Sequence, residues 1–253
     1  MAREPAFEVR ETGDVTPGET LLVGTAGLGV AGLTATDYLV THVETTQVGH
    51  VRTRNLPDIT PFSDGQPRRP ARLYSTAESD VTILITELFL PVTVSDLWAE
   101  AVLEWAAERG VTEITALHGA PFPHQPHEHA VYHVATDGYR ERHFDGEGGA
   151  DIEPLAGGFF DGIIGELLSR SLEEEGPPTG VLVTPTHLPG PDFDAAIRLL
   201  DALETVHGVE TDETELRGRA DEMEQYYEEL AGRMQALQEE QATEDYPNDR
   251  MYM

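Results

Sequence analysis

The chain has 253 residues and sets 16 basic against 47 acidic side chains, a formal net charge of −31, and every basic residue is arginine. The lack of cysteine excludes disulfides, thiolate metal sites and thiol nucleophiles, and the one basic cluster, Arg68-Arg69 with Arg72, is too small a footprint for a nucleic acid partner. Acidity spread over the whole length makes a fold self-repelling in dilute buffer, so the composition points to the salt-screened cytoplasm of a halophile; heat adaptation would enrich lysine along with glutamate.

Met1 to Thr12 is polar and charged, without the apolar run of a signal peptide, and no later stretch is long enough to span a bilayer, so a soluble cytoplasmic protein is expected. Thr20 to Gly24 predicts a strand, Gly27, Gly29 and Gly32 a turn, and Leu33 to Val43 a helix. Thr45 to Val51 is the next strand, followed by a polar, proline-rich stretch from Leu56 to Arg72. Beyond Asp80, the β-branched run Val81 to Thr86 suits a strand buried on both faces. Thr93 or Ser95 stands where it can cap a helix whose Val94, Trp98, Ala101, Val102 and Trp105 form an apolar stripe and which Gly110 stops. Val111 to Leu117 is again a strand.

Asp137-Gly138, between Ala130 to Ala135 and Tyr139 to Phe144, predicts a hairpin and therefore a mixed sheet. Gly157 to Ser169 reads as a helix, Val181 to Val183 as a short strand, and Phe193 to Val206 as an amphipathic helix capped by Asp192 and stopped by Gly208. This alternation implies a three-layer α/β/α domain with a mixed sheet over residues 1–210. From Asp212 the composition shifts. Leu216, Met223, Leu230 and Leu237 recur every seven residues, with Ala220, Tyr227 and Met234 between them, so residues 211–242 are expected to form a coiled-coil-like helix that pairs with a second copy or packs on the domain. Residues 243–253 are expected to be a flexible tail. It ends in Met251-Tyr252-Met253: an apolar residue, a tyrosine and any residue before the carboxylate, which is the form of an anchoring plug.

Three constellations bear on chemistry. Gly27-x-Gly29-x-x-Gly32 opens a helix after a strand, as where backbone amides face a pyrophosphate. The second strand offers no acidic residue for a ribose; Arg52 and Arg54 there would suit a 2′-phosphate, so NADP binding, or more broadly a nucleotide- or nucleoside-binding enzyme using the Gly27–Gly32 turn, is the alternative to close helix–sheet packing. His124, His127, His129 and His133, with Glu128, crowd one stretch. Their spacing matches no zinc motif and His124 and His127 sit in a proline-bounded loop, so a solvated or hydrogen-bonded cluster is the plainer reading, with a metal-dependent hydrolase as the alternative. Ser63, Ser75, Ser79, Ser95, Ser169 and Ser171 occupy no nucleophile-elbow context. No catalytic set emerges and no cofactor is expected.

The run Gly24-Thr25-Ala26-Gly27-Leu28-Gly29-Val30-Ala31-Gly32, followed by Asp37-Tyr38-Leu39, resembles the first motif of the PAC2 family, archaeal relatives of proteasome assembly chaperones. Asp80 to Leu88 resembles a second block, and the Trp98 to Gly110 helix leading into Leu117-His118-Gly119 a third. Gly157-Gly158 with Gly162 and Gly165, and Leu188 to Asp192 running into Ala195-Ala196-x-x-Leu199-Leu200, resemble the next ones, so that the likeness covers most of residues 15–240. The resemblance implies a phosphorylase-like three-layer fold, homo-oligomers and no known catalytic activity. Family members that act on the proteasome end in a hydrophobic-Tyr-X tail, called HbYX, which docks in pockets between neighbouring α-subunits of the 20S ring. Met251, Tyr252 and Met253 match it position for position, so the 20S α-ring and a second copy of the chain are the expected partners. In such a pocket the Met253 carboxylate would meet a basic group, the Tyr252 ring would be the rigid anchor and Met251 would fill apolar space.

Overall fold

The computed structural model describes residues 7–13, 17–56, 59–77, 79–122, 129–187 and 190–226. By internal packing the chain divides into Met1–Asp212 and Glu213–Met253. The strands of the first unit are β1 (Phe7–Glu11), β2 (Thr20–Thr25), β3 (Thr45–Thr53), β4 (Phe62–Ser63), β5 (Gln66–Pro67), β6 (Ala71–Thr76), β7 (Val81–Thr86), β8 (Glu113–Ala120), β9 (Tyr132–Ala135) and β10 (Thr179–Pro185). Its helices are α1 (Ala31–His42), α2 (Val92–Arg109), α3 (Asp137–His143), α4 (Gly162–Leu172) and α5 (Phe193–His207).

Eight strands form one sheet in the order β1-β3-β6-β7-β2-β8-β10-β9, and β4 and β5 make a separate ribbon. The central four, β7, β2, β8 and β10, run parallel. Antiparallel pairs complete both sides, β6, β3 and β1 on one and β9 on the other, so the sheet is mixed. The central strands are buried along nearly their whole length, which a β-branched run such as Val81 to Thr86 requires when helices cover both faces. Helices α1 and α5 pack together on one face, and α2 with α4 on the other. Side-chain alternation serves both layers. Leu21, Val23, Leu84, Ile114, Ala116, Val181 and Val183 form one core with Trp98, Val102, Ile163 and Leu167, while Leu22, Ile83, Leu117 and Leu182, also buried, point the other way.

Local signals hold where the chain decides alone. Gly110 (φ 76°) and Gly208 (φ 67°) end α2 and α5 in the left-handed region that glycine tolerates best. The Asp192 carboxylate accepts from the Ala195 N–H at 2.8 Å and caps α5. Three expectations are corrected. Asp137-Gly138 turns no hairpin: Asp137–His143 is α3. The Tyr139 ring lies over Gly180 of β10, where a Cβ would come within 2.3 Å of it, and its hydroxyl meets Thr115 Oγ1 at 2.7 Å, so burial of this side chain overrides the turn dipeptide. Helix α2 starts at Val92 with no side-chain cap; Ser95 is buried in its first turn and donates back to the Pro91 carbonyl at 3.3 Å. The helix expected from Gly157 begins at Gly162.

Four strands escaped the sequence reading, β1, β6 and the two-residue β4 and β5. β1 lies in the charged N-terminal stretch and its Trp105-facing Glu11 accepts from the indole N–H at 2.8 Å. β6 begins at the end of the proline-rich stretch and carries Arg72, only 2% exposed. Its guanidinium donates to Glu87 at 2.6 Å, to the Arg69 carbonyl at 2.6 Å and to the Tyr74 hydroxyl at 2.9 Å. In the second unit, residues 214–226 are helical, with Leu216 and Ala220 buried and Met223 half-buried. The later heptad positions, Tyr227, Leu230, Met234 and Leu237, lie outside the described residues. Among the described residues no helix is long and apolar enough to cross a membrane.

Candidate functional site

Met251, Tyr252, Met253, His124, His127 and Glu128 lie outside the described residues. The glycine turn falls at the carboxyl edge of the parallel strands. There β2 runs into a 3₁₀ turn, Leu28–Val30, with Gly29 at φ 68° and Val30 at φ 45°. Positive φ at a β-branched residue is a genuine outlier and marks a turn held by its surroundings. The Gly29 carbonyl accepts from the Asp192 N–H at 2.9 Å. A Cβ at Gly29 would stand 2.9 Å from Thr186, one at Gly32 only 2.0 Å from the Leu117 carbonyl oxygen, and one at Gly27 no closer than 3.4 Å to His118. Gly29 and Gly32 therefore meet protein on the side where a Cβ would be, and Gly27 alone has room.

The polar groups around this turn are mostly committed to one another. Asp192 caps α5 and accepts from the His187 N–H at 2.8 Å. Arg198 donates to Thr184 Oγ1 and to the Pro185 carbonyl, both at 2.9 Å. Thr186 Oγ1 is buried without a hydrogen-bond partner. His118 packs edge-on to Phe160, and burial pushes its imidazole down to about 4, against the pull of the Asp161 carboxylate, so it is neutral at pH 7. The histidine run separates. His129 is exposed with its ring 5.0 Å from that of His187, whereas His133 is buried in β9, stacked on Phe144 and bonded through Nδ1 to the Ile152 carbonyl at 2.7 Å.

A second constellation, at the amino edge, was missed in the sequence. Glu113 heads β8 and is 4% exposed. Thr20 Oγ1, from the head of β2, donates to its Oε1 at 2.9 Å. His143 Nε2 is 2.9 Å from its Oε2, and the Arg142 guanidinium donates to that same oxygen. His207, the last residue of α5, places Nδ1 3.7 Å from Glu113 Oε1 and bonds through Nε2 to Thr115 Oγ1 at 2.7 Å. Burial would raise the Glu113 carboxyl, but the hydrogen bonds from His143 and Arg142 outweigh it and hold it at about 2. Burial also pushes His207 down to about 4, with Glu113 opposing, and pushes the Tyr139 hydroxyl up. A glutamate heading an otherwise apolar strand, and a histidine beside the Gly208 stop, were the available signals. The misread hairpin hid His143.

What the fold and these groups define is a three-layer α/β protein with one polar cluster at each end of its parallel strands. The PAC2 family model matches residues 21–231, and the chain belongs to that family. Among solved structures, PbaA of Pyrococcus furiosus, an archaeal homologue of proteasome-assembly chaperone, superposes with a TM-score of 0.77 at 19% identity over 94% of this chain and 97% of its own. PbaB of the same organism, an archaeal proteasome activator, gives 0.76 at 18% identity over 90% and 100%. A proteasome-assembly chaperone homologue of Mycobacterium tuberculosis gives 0.58 at 17% identity over 83% and 94%. At these identities the likeness is one of fold. Comparison with curated proteins finds no match.

Proposed function

We propose that this protein is a non-enzymatic 20S proteasome-binding protein, of the assembly-chaperone or activator kind, that docks Met251-Tyr252-Met253 in the pockets between neighbouring α-ring subunits. The observation that carries the reading is that tripeptide at the end of a PAC2 chain whose fold is also that of an archaeal proteasome activator. A single docked tail binds weakly, because it is ordered only on docking. A homo-oligomer presenting several tails gains about 100-fold or more through effective concentration where the geometry lets them dock together. The heptads of residues 211–242 are a means of bringing copies together, the phosphorylase-like body is the platform, and the setting is a salt-rich cytoplasm.

Co-sedimentation with purified 20S particles at high KCl tests this. Deleting residues 251–253, changing Tyr252→Ala, or adding one residue after Met253 should each abolish binding, with circular dichroism and oligomer size unchanged. Binding that survives these three changes overturns the proposal.

A further inference from the structure

We propose that Glu113, His143 and His207 form a binding site for a divalent cation of the zinc class, with Arg142 as a displaceable placeholder for the ion. The three side chains come from β8, the end of α3 and the end of α5, and their ligand atoms all lie within 4.8 Å of one another. A tetrahedral site with bonds of about 2.0–2.1 Å sets its ligand atoms about 3.3 Å apart. His143 Nε2 lies 2.9 Å from Glu113 Oε2 and His207 Nδ1 3.7 Å from the other oxygen, Oε1, so an imidazole faces each oxygen of the carboxylate and an ion between them would meet it through one oxygen or both. Two imidazoles and one carboxylate are a ligand set that suits zinc and its neighbours, and leave a fourth position for a water.

The surroundings support the assignment. Ligating histidines are commonly oriented through a hydrogen bond at the other ring nitrogen. His207 has that bond, Nε2 to Thr115 Oγ1 at 2.7 Å, with the Tyr139 hydroxyl 3.2 Å away. This leaves Nδ1 turned toward Glu113 at a distance too long for a hydrogen bond, with room for a charge between them. Thr20 holds the carboxylate from its other side. The opposing feature is Arg142, whose guanidinium already sits on Glu113 Oε2. Its side chain is 46% exposed, against 5% for Glu113, so it reaches in from solvent and can swing out without exposing the carboxylate. A divalent ion then replaces a single positive charge and clamps α3 and α5 to the head of β8.

The test uses the full chain without a histidine tag, stripped by chelator and titrated with Co2+ at high KCl. The expected result is one equivalent bound with the intense visible absorption of four-coordinate cobalt, displaced by Zn2+. Arg142→Gln should tighten binding at least tenfold by removing the competitor, and His207→Ala should weaken it at least tenfold. His143→Gln serves where His207→Ala fails to fold. A His124→Ala/His127→Ala double variant should bind as the parent does. No such absorption in either the parent or Arg142→Gln, or binding lost in the double variant and kept in His207→Ala and His143→Gln, overturns the assignment.

Discussion

Gly32→Ala is the sharpest perturbation the fold offers, because it asks whether the glycine turn serves packing. Gly32 is the second residue of α1, and a Cβ there would lie 2.0 Å from the carbonyl oxygen and 2.7 Å from the carbonyl carbon of Leu117. The obstacle is backbone of a central strand hydrogen-bonded on both sides, so the helix must retreat by more than about 1 Å to restore ordinary contact. That retreat opens gaps beneath Ala35 and Leu39, both fully buried. Overpacking costs typically 1–3 kcal/mol, and an immovable neighbour puts this case near about 3 kcal/mol, a fall in Tm of about 6–12 °C for a chain of this size. Gly27→Ala is the control: its backbone is extended (φ −111°) and its Cβ would meet only His118 at 3.4 Å, so the change should stay within about 0.5 kcal/mol. Thermal and urea melts at high KCl measure both. Gly32→Ala melting within about 2 °C of the parent, well short of that expected fall, or Gly27→Ala as the more damaging change, would refute the packing argument.

Arg72→Met should destabilise by about 1–3 kcal/mol, because it takes a donor from Tyr74, the Arg69 carbonyl and Glu87 while Arg68 Nε, 3.1 Å away, still pairs with Glu87, and Arg72→Lys should recover little, since one ammonium cannot reach Glu87, Tyr74 and the Arg69 carbonyl together; urea midpoints check both. His207 is pushed from an ordinary value near 6.5 down to about 4, so between those pH values the unfolded chain holds a proton that the folded one refuses. Its contribution to stability is present above pH 6.5 and is lost as pH falls toward 4, by at most about 3 kcal/mol. In chelator-treated protein a His207→Gln variant should flatten the urea-midpoint slope between pH 6.5 and 5.5, and an unchanged slope would sink the point. Withdrawing KCl should unfold the chain, with a net charge of −31 left unscreened, and circular dichroism during stepwise dilution reads this directly.

What could be read from the sequence follows from where the deciding interactions lie. Val81 to Thr86, the Asp192 cap and the Gly110 and Gly208 stops are set within a few residues, and the structure keeps them in place. β1 depends on a partner far along the chain, whereas β6 pairs with the next strand, β7, and is masked in the sequence by the proline-rich residues that lead into it. Phe7 and Val9 give β1 too faint an alternation to announce a strand, and its pairing with β3 supplies the rest. Asp137-Gly138 is a strong turn signal that lost to a single tyrosine, because Tyr139 is fully buried over Gly180 and bonded to Thr115. The amino-edge cluster was hidden for the same reason. Glu113, His143 and His207 share no local pattern, and strand register together with the landing points of α3 and α5 brings them to one place.

The two ends of the parallel sheet differ in how their polar groups are committed, and that difference bears on function. In open α/β sheets ligands gather at the carboxyl edge, where loops leave the strands. Here that edge holds a strained valine turn against α5, Asp192 serves both His187 and the helix cap, and Arg198 serves Thr184 and a backbone carbonyl. Groups tied to neighbouring loops are poor hosts for a substrate and good fixings for a rigid body. Rigidity has value in the proposed function, because tails dock together only when the body that carries them keeps their spacing, and every additional mode of motion dilutes their effective concentration. A metal bridging β8, α3 and α5 at the amino edge would act in the same direction. Loosening that edge, for example by Glu113→Gln, should therefore weaken 20S binding of the oligomer more than binding of an isolated tail peptide, which has no body to stiffen. Competition between the full chain and a synthetic peptide ending in Met-Tyr-Met measures the difference, and equal affinity of parent and variant at matched oligomer size refutes the link between body and tail.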